Sequence, residues 1–163
     1  MKYLIDANVF IEAKNHYYRP EICPGFWEWL EDGVQGAFGT IDRVRNELVA
    51  GNDYVSQWFK SHQGASWIFA TTDSATQRAF AKITAWVSSG GPMTPEKTKF
   101  LGGADPWLVA RALATKATVV TLEMPKNSPK KVSVVDACTH FKVPTMKTWD
   151  LLALLKVKFV REK

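Results

Sequence analysis

Two kinds of apolar pattern alternate along the chain. Lys2 to Asp6, Gly36 to Thr40, Ala117 to Leu122 and Val132 to Val135 are short and mostly apolar or β-branched, which predicts strands. Between them, apolar residues recur at helical spacing. A helix is expected from about Asn8, and another over Pro24 to Gly33 with Phe26, Trp27 and Leu30 on one face. Ile41, Val44 and Leu48 predict a third, with Gly51 as a stop. Val55 to Lys60 and Ser74 to Val87 continue the pattern. Asp105-Pro106 opens a helix whose apolar face carries Leu108, Val109, Ala112 and Leu113. Ala137 to Phe141 is a short helix, and Trp149 to Leu155 is apolar at helical spacing. Ser88 to Pro95 and Met124 to Lys131 are loop-like, each with two prolines. Strands alternating with helices predict a parallel sheet covered on both faces. The expected class is α/β, a three-layer α/β/α sandwich around a mostly parallel central sheet. At 163 residues, one domain over 1–163 is expected.

That topology places particular acids. In a parallel sheet, strand C-termini and the helix N-termini after them share one edge, where ligands bind. Asp6 ends the first strand, Glu123 follows the strand closing on Leu122, and Asp105 opens a helix. Glu47 lies about two turns into the helix after Thr40, beside its apolar stripe. Each has an ordinary reading. Asp6 and Asp105 can cap helices, and Glu47 and Glu123 can be solvated. Together, four carboxylates on one edge repel unless a cation sits among them. Hard oxygen ligands suit magnesium or manganese rather than zinc. Asp136, after the next expected strand, rivals Glu123 for the fourth position.

Composition narrows the chemistry. The net charge of +5 and a pI near 9.2 fit a polyanionic partner such as nucleic acid. Lys126, Lys130 and Lys131 in the polar loop, with Arg43 and Arg45, are candidate phosphate contacts. Asn8 and Thr121 are candidates for orienting water or phosphate. The chain has no Gly-x-x-x-x-Gly-Lys loop, no Gly-x-Gly-x-x-Gly fingerprint and no nucleophile elbow. His16, His62 and His140 are scattered. Cys23 and Cys138 are far apart in sequence and are expected to be reduced. No apolar run approaches membrane-spanning length, and the N-terminus turns polar too soon for a signal peptide, so a cytoplasmic protein is expected. Seven tryptophans mostly follow helix or strand patterns and read as core, with one or two free to stack on bases or bind a partner. Metal-assisted hydrolysis remains.

The residues that carry this chemistry resemble those of PIN-domain ribonucleases, and the chain is similar to the VapC-type toxins of toxin–antitoxin pairs. Leu4-Ile5-Asp6-Ala7-Asn8-Val9-Phe10-Ile11 looks like the family's first motif, and Asn46-Glu47-Leu48 like its second. Gly103-Ala104-Asp105-Pro106-Trp107-Leu108-Val109-Ala110 resembles the third, and Val119-Val120-Thr121-Leu122-Glu123 the fourth. The fourth acid is commonly aspartate in the family and is glutamate here. The resemblance implies a PIN-like α/β/α fold, magnesium or manganese at Asp6, Glu47, Asp105 and Glu123, and cleavage of RNA phosphodiesters. It also implies a homodimer and a small cognate antitoxin. The expected mechanism has Asp6 and Asp105 hold an ion that activates water, with Glu47 and Glu123 holding metal-bound waters or a second ion. The competing expectations are a PIN-like scaffold that binds RNA or protein without cutting, and a structure-specific DNA nuclease.

Overall fold

A computed structural model describes residues 2–32 and 37–160; Gly33 and Gly36, the ends of two expected elements, lie outside them. Five strands form one sheet: β1 (Tyr3–Ile5), β2 (Phe38–Ile41), β3 (Ile68–Phe69), β4 (Thr118–Val120) and β5 (Thr145–Met146). The order is β3-β2-β1-β4-β5 and every pairing is parallel. Leu4 and Ile5 are both buried, as are Val119 and Val120 and all of β2. Successive residues of a strand face opposite sides, so burial of both means that the sheet is covered on both faces. The helices supply that cover, and the α/β/α sandwich is as expected. Among the described residues, no helix is long and apolar enough to cross a membrane.

The helices are α1 (Ala7–Glu12), α2 (Pro24–Asp32), α3 (Asp42–Val49), α4 (Tyr54–Ser61), α5 (Ser74–Ser89), α6 (Pro95–Gly102), α7 (Asp105–Thr115), α8 (Val134–His140) and α9 (Thr148–Leu154). A π-helical turn, Ala13–Tyr17, extends α1. The core joins Phe10, Phe26, Phe38, Phe59, Trp27, Trp58 and Trp67 to the aliphatic residues of β1 and β4. Both cysteines are free, and burial pushes the Cys138 thiol up to about 12, so it stays protonated and inert.

Four local expectations fail. Val132 to Val135 is not a strand: Val134 begins α8. Ser133 accepts a hydrogen bond from the Asp136 backbone N–H, and the Asp136 carboxylate accepts one from the Ser133 N–H. This reciprocal cap satisfies two orphan donors and outweighs the β preference of two valines. The second miss is α6, which starts where a loop was expected to end. Its signal was present, since Thr94 caps the Lys97 N–H and Pro95 takes the first helical position. The strands β3 and β5 were the other two misses. Each has two residues, too few to show a period.

Chain order fixes where a site can form. From β1 the sheet grows one way through β2 and β3, then the other way from β4 to β5. Connections leave β1 and β4 in opposite directions, which opens a crevice beyond their C-terminal ends.

Candidate active site

Asp6 and Thr121 are the first residues past β1 and β4, at that crevice. Asp6 is 2 % exposed. Its Oδ2 accepts hydrogen bonds from the Thr121 hydroxyl (2.7 Å) and from Asn8 Nδ2 (2.7 Å). Asn8 Nδ2 also donates to Thr121 Oγ1 (3.0 Å), while Asn8 Oδ1 accepts from the Leu122 N–H (3.0 Å). The Glu123 N–H donates to Thr121 Oγ1 (3.1 Å). Asn8 and Thr121, candidates for touching substrate, are thus tied up in fixing one carboxylate oxygen. They are positioning residues that join the ends of β1 and β4. Asp6 occupies the N-cap position of α1 but makes no side-chain cap bond.

Asp105 is the first residue of α7, after Ala104 at the N-cap, and its own side chain does not cap this helix end. The expected cap role for Asp105 is therefore not realised. Burial pushes its carboxyl up to about 7, with added repulsion from Asp6, Glu123 and Glu47; Lys99 offsets this only in part. Burial likewise pushes Asp6 up to about 6, against the Thr121 hydroxyl and with repulsion from Glu123 and Glu47. The helix-end field that favours anions is overcome at both positions.

The two glutamates are anchored to backbone. Glu47 Oε1 accepts from the Ala104 N–H (2.7 Å), which ties α3 to the start of α7. A Cβ at Gly103 would stand 3.3 Å from that oxygen, so the close approach favours glycine there. Glu123 Oε2 accepts from the Val134 N–H (3.0 Å) at the start of α8. Lys147 Nζ donates to the Glu123 carbonyl (2.6 Å) and fixes the chain as it leaves β4. Among the described residues, none of the four acids forms an ion pair. No group of three His, Cys, Asp or Glu among them closes around a cation-sized point as the side chains stand. The carboxylates repel one another, but the outer two lean on backbone. Their donor chemistry still suits a hard divalent ion, because all four offer oxygen and none is neutralised by a lysine or arginine.

A cleft of about 490 Å³ lies over Glu47, Asp105 and Glu123, and Lys99, Lys126, Lys131 and Glu96 also line it. Lys126 and Lys131 stand where the sequence suggested. Lys130 does not line the cleft; its carbonyl accepts from the Thr94 hydroxyl (2.6 Å), which clips the basic loop to the start of α6. Lys99 was missed because α6 was missed. Asp136 is occupied elsewhere. Despite partial burial, hydrogen bonds from the Ser133 hydroxyl and from the Lys126, Ser133 and Asn127 N–H groups hold its carboxyl below the usual range. It organises the basic loop, while Glu123 is the acid that repels Asp6 and Asp105. Arg43 lies over the Trp107 ring (4.9 Å), and Arg45 donates to Asn46 (3.3 Å); neither lines the cleft.

Comparison with known proteins adds a family and a fold. No curated protein matches the chain. A solved structure, "Crystal structure of VapBC2 from Rickettsia felis bound to a DNA fragment from their promoter", contains a chain of similar fold. The TM-score is 0.53 at 14 % identity, over 90 % of this chain and 98 % of that one. The family model "Domain of unknown function (DUF4411)" matches residues 3–159, and the chain belongs to that family.

Proposed function

We propose that this chain is a metal-dependent endoribonuclease and the toxin of a toxin–antitoxin pair. The observation that carries the proposal is the pair Asp6 and Asp105, two desolvated carboxyls flanked by two glutamates, none of the four ion-paired to a lysine or arginine among the described residues. Leaving such a set uncompensated costs stability, and a resident divalent ion offsets that cost. Asp6 and Asp105 would hold it, with Glu47 and Glu123 at its flanks. Bound there, a magnesium or manganese ion supplies positive charge to activate water and to stabilise charge on the phosphoryl oxygens.

The chain's own residues do the rest. Asn8 and Thr121 fix Asp6 in one orientation, and preorganisation of this kind keeps a ligand oxygen in place. Lys99, Lys126 and Lys131 draw the phosphodiester backbone into the cleft. The likeness to a chain of a VapBC2 complex supports a protein partner, which we take to be a small antitoxin; that the chain is a homodimer and cytoplasmic is part of the proposal. A non-cutting scaffold is the second reading, and the backbone anchoring of Glu47 and Glu123 favours it.

Purified protein incubated with total RNA separates the two. Cleavage is expected with magnesium or manganese, none in chelator and none for Asp6→Asn. Calorimetry should show an ion site that Asp6→Asn removes. No heat of binding for either ion, together with intact RNA, would establish the scaffold.

A further inference from the structure

Two segments far apart in sequence wall the cleft over the acids. Helix α6 supplies Glu96, Lys99 and Phe100, and the basic loop supplies Lys126 and Lys131. Each segment has an anchor of its own. The Lys97 side chain of α6 is 2 % exposed, and its ammonium donates to the carbonyls of Gly90 (3.0 Å) and Pro92 (3.3 Å), just past the end of α5. A buried ammonium needs such acceptors, and the C-terminal end of a helix favours positive charge. α6 thus hangs from α5. The basic loop is held by α8, whose Asp136 carboxylate accepts from the Lys126 N–H (3.0 Å), the Asn127 N–H (3.4 Å) and, at the far end, the Ser133 N–H (2.9 Å). Between those holds, Pro129, Lys130 and Lys131 are exposed. Among the described residues, one hydrogen bond joins the two segments: the Thr94 hydroxyl donates to the Lys130 carbonyl (2.6 Å). The same oxygen accepts from the Lys97 N–H (3.2 Å), so one side chain both starts α6 and clasps the loop to it.

We propose that Thr94 is a positioning residue that closes α6 and the basic loop into one wall of the acid cleft, and so brings Lys99 together with Lys126 and Lys131. The clasp follows from the geometry of the two segments; its effect on RNA rests on the ribonuclease reading. Because α5 holds one segment and α8 the other, opening the clasp leaves both folded and changes only how they meet. The competing role for Thr94 is that of a helix cap and nothing more. The chemistry separates the two. A cap needs an acceptor, a clasp on a carbonyl needs a donor, and a hydroxyl is both. Serine keeps both functions. An ionised aspartate caps about as well but has no hydrogen to donate, and glycine caps nearly as well without charge or donor. Valine loses both.

The first test is trypsin under native conditions in metal-free buffer, with the fragments identified by mass. Cutting after Lys130 and Lys131 reads the loop; cutting after Lys97 and Lys99 reads α6. When opening is fast relative to cutting, the rate follows the open population, and one uncharged hydrogen bond shifts that population by about two- to tenfold. Loop cutting should rise by that factor in Thr94→Asp and Thr94→Gly and stay parental in Thr94→Ser. Cutting within α6 should rise only in Thr94→Val. The second test is RNA cleavage in magnesium. KM should rise by about three- to tenfold in both Thr94→Asp and Thr94→Gly, as phosphate contacts are lost, with kcat unchanged because Asp6 and Asp105 are untouched. Agreement between the two variants removes the added charge as the cause, and Thr94→Ser should restore the parental KM. Parental loop cutting in Thr94→Asp and Thr94→Gly, a Thr94→Ser that behaves as they do, or faster loop cutting with KM unchanged would each overturn the positioning role. A parent that leaves RNA intact removes the ribonuclease reading, and proteolysis still decides the clasp.

Discussion

Among the aspartates at helix N-termini, two pairs contrast. Asp53 accepts the Ser56 N–H (3.0 Å) and pairs with Lys14 (3.4 Å). Asp73 accepts the Thr76 hydroxyl (2.7 Å) and N–H (2.9 Å) and pairs with Arg111. The Ser56 N–H holds the Asp53 carboxyl below the usual range, and the Thr76 hydroxyl does the same for Asp73. These are ordinary caps, in which helix end, hydrogen bonds and a cation all favour the anion. Asp6 also stands at an N-cap and Asp105 one residue inside a helix, yet burial and neighbouring acids push both carboxyls up. One pair is satisfied where it stands; the other is held in a state that only an added positive charge relieves. The contrast separates structural acids from candidate catalytic ones without appeal to motif.

Activity should divide the pairs most sharply. Asp6→Asn and Asp105→Asn keep size and remove charge, and each should lower RNA cleavage on the order of a thousandfold. Asp53→Asn should cleave as the parent does. Rates measured with saturating magnesium decide it, and a full-speed Asp6→Asn would remove the acid set from the mechanism.

Stability against pH should run in opposite directions for the two pairs. Asp6 and Asp105 have folded pKa values, about 6 and about 7, above the unfolded value near 3.8. Between those limits the native state binds more protons than the unfolded one, so their contribution falls as pH rises. Below pH 4 the penalty is absent; above pH 7 it is complete. Each tenfold shift in proton affinity is worth about 1.4 kcal/mol, so the metal-free chain should lose a few kcal/mol across that window. Asp105→Asn should recover part of it, and no helix cap is lost, since Asp105 makes none. Magnesium at a hundredfold excess over its dissociation constant should return about 2.7 kcal/mol to the parent and much less to the variant. Asp53 and Asp73, with lowered pKa values, stabilise above the unfolded value and lose that contribution only in acid. Chemical denaturation from pH 4 to 8, in chelator and in magnesium, reads both trends. A metal-free stability that is flat over this range would mean that neither burial nor the neighbouring acids raise these carboxyls.

The caps themselves should show a smaller effect. Asp53→Ala and Asp73→Ala each remove a cap worth about 1 kcal/mol. Their cost should be the same with and without magnesium. A cost at Asp53 that vanished in magnesium would join it to the acid set.

How far this division could be read from sequence depends on what each residue answers to. The alternation of β-branched runs with helical stripes gives the sheet, and a parallel sheet has one ligand edge, so Asp6, Asp105 and Glu123 followed from topology. The cap at Asp105 did not form, although Asp-Pro strongly suggests one. Helix α7 begins at Asp105 itself, one residue later than a cap would stand. Asp136 stayed a rival of Glu123 until Ser133, three residues away, and the basic loop, nine and ten residues away, claimed it through hydrogen bonds. Lys99 was invisible because Thr94-Pro95 was read as the end of a loop rather than the start of a helix. Roles set by distant partners, such as Glu47 on the Ala104 N–H, leave no local pattern to find.

The smallest effect concerns Lys99, a cation that acts on Asp105. Lys99 lowers the Asp105 carboxyl, by less than burial and the three neighbouring acids raise it. Removing its charge as Lys99→Gln leaves burial and the three acids unopposed, so the pH at which metal-free stability finishes falling should move slightly upward. The sign follows from linkage: a further raised folded pKa extends the window over which the native state holds the extra proton. The same lysine lines the cleft, so each phosphate contact it makes should add about 0.7 to the salt slope of single-stranded RNA binding. Lys130→Gln is the matched control. Its side chain does not line the cleft, and its tie to α6 runs through the backbone carbonyl, which the substitution keeps. It should change neither the pH midpoint nor the slope. If Lys130→Gln flattens the slope as much as Lys99→Gln does, the loop acts as a diffuse basic surface, and the cleft is not where RNA is held.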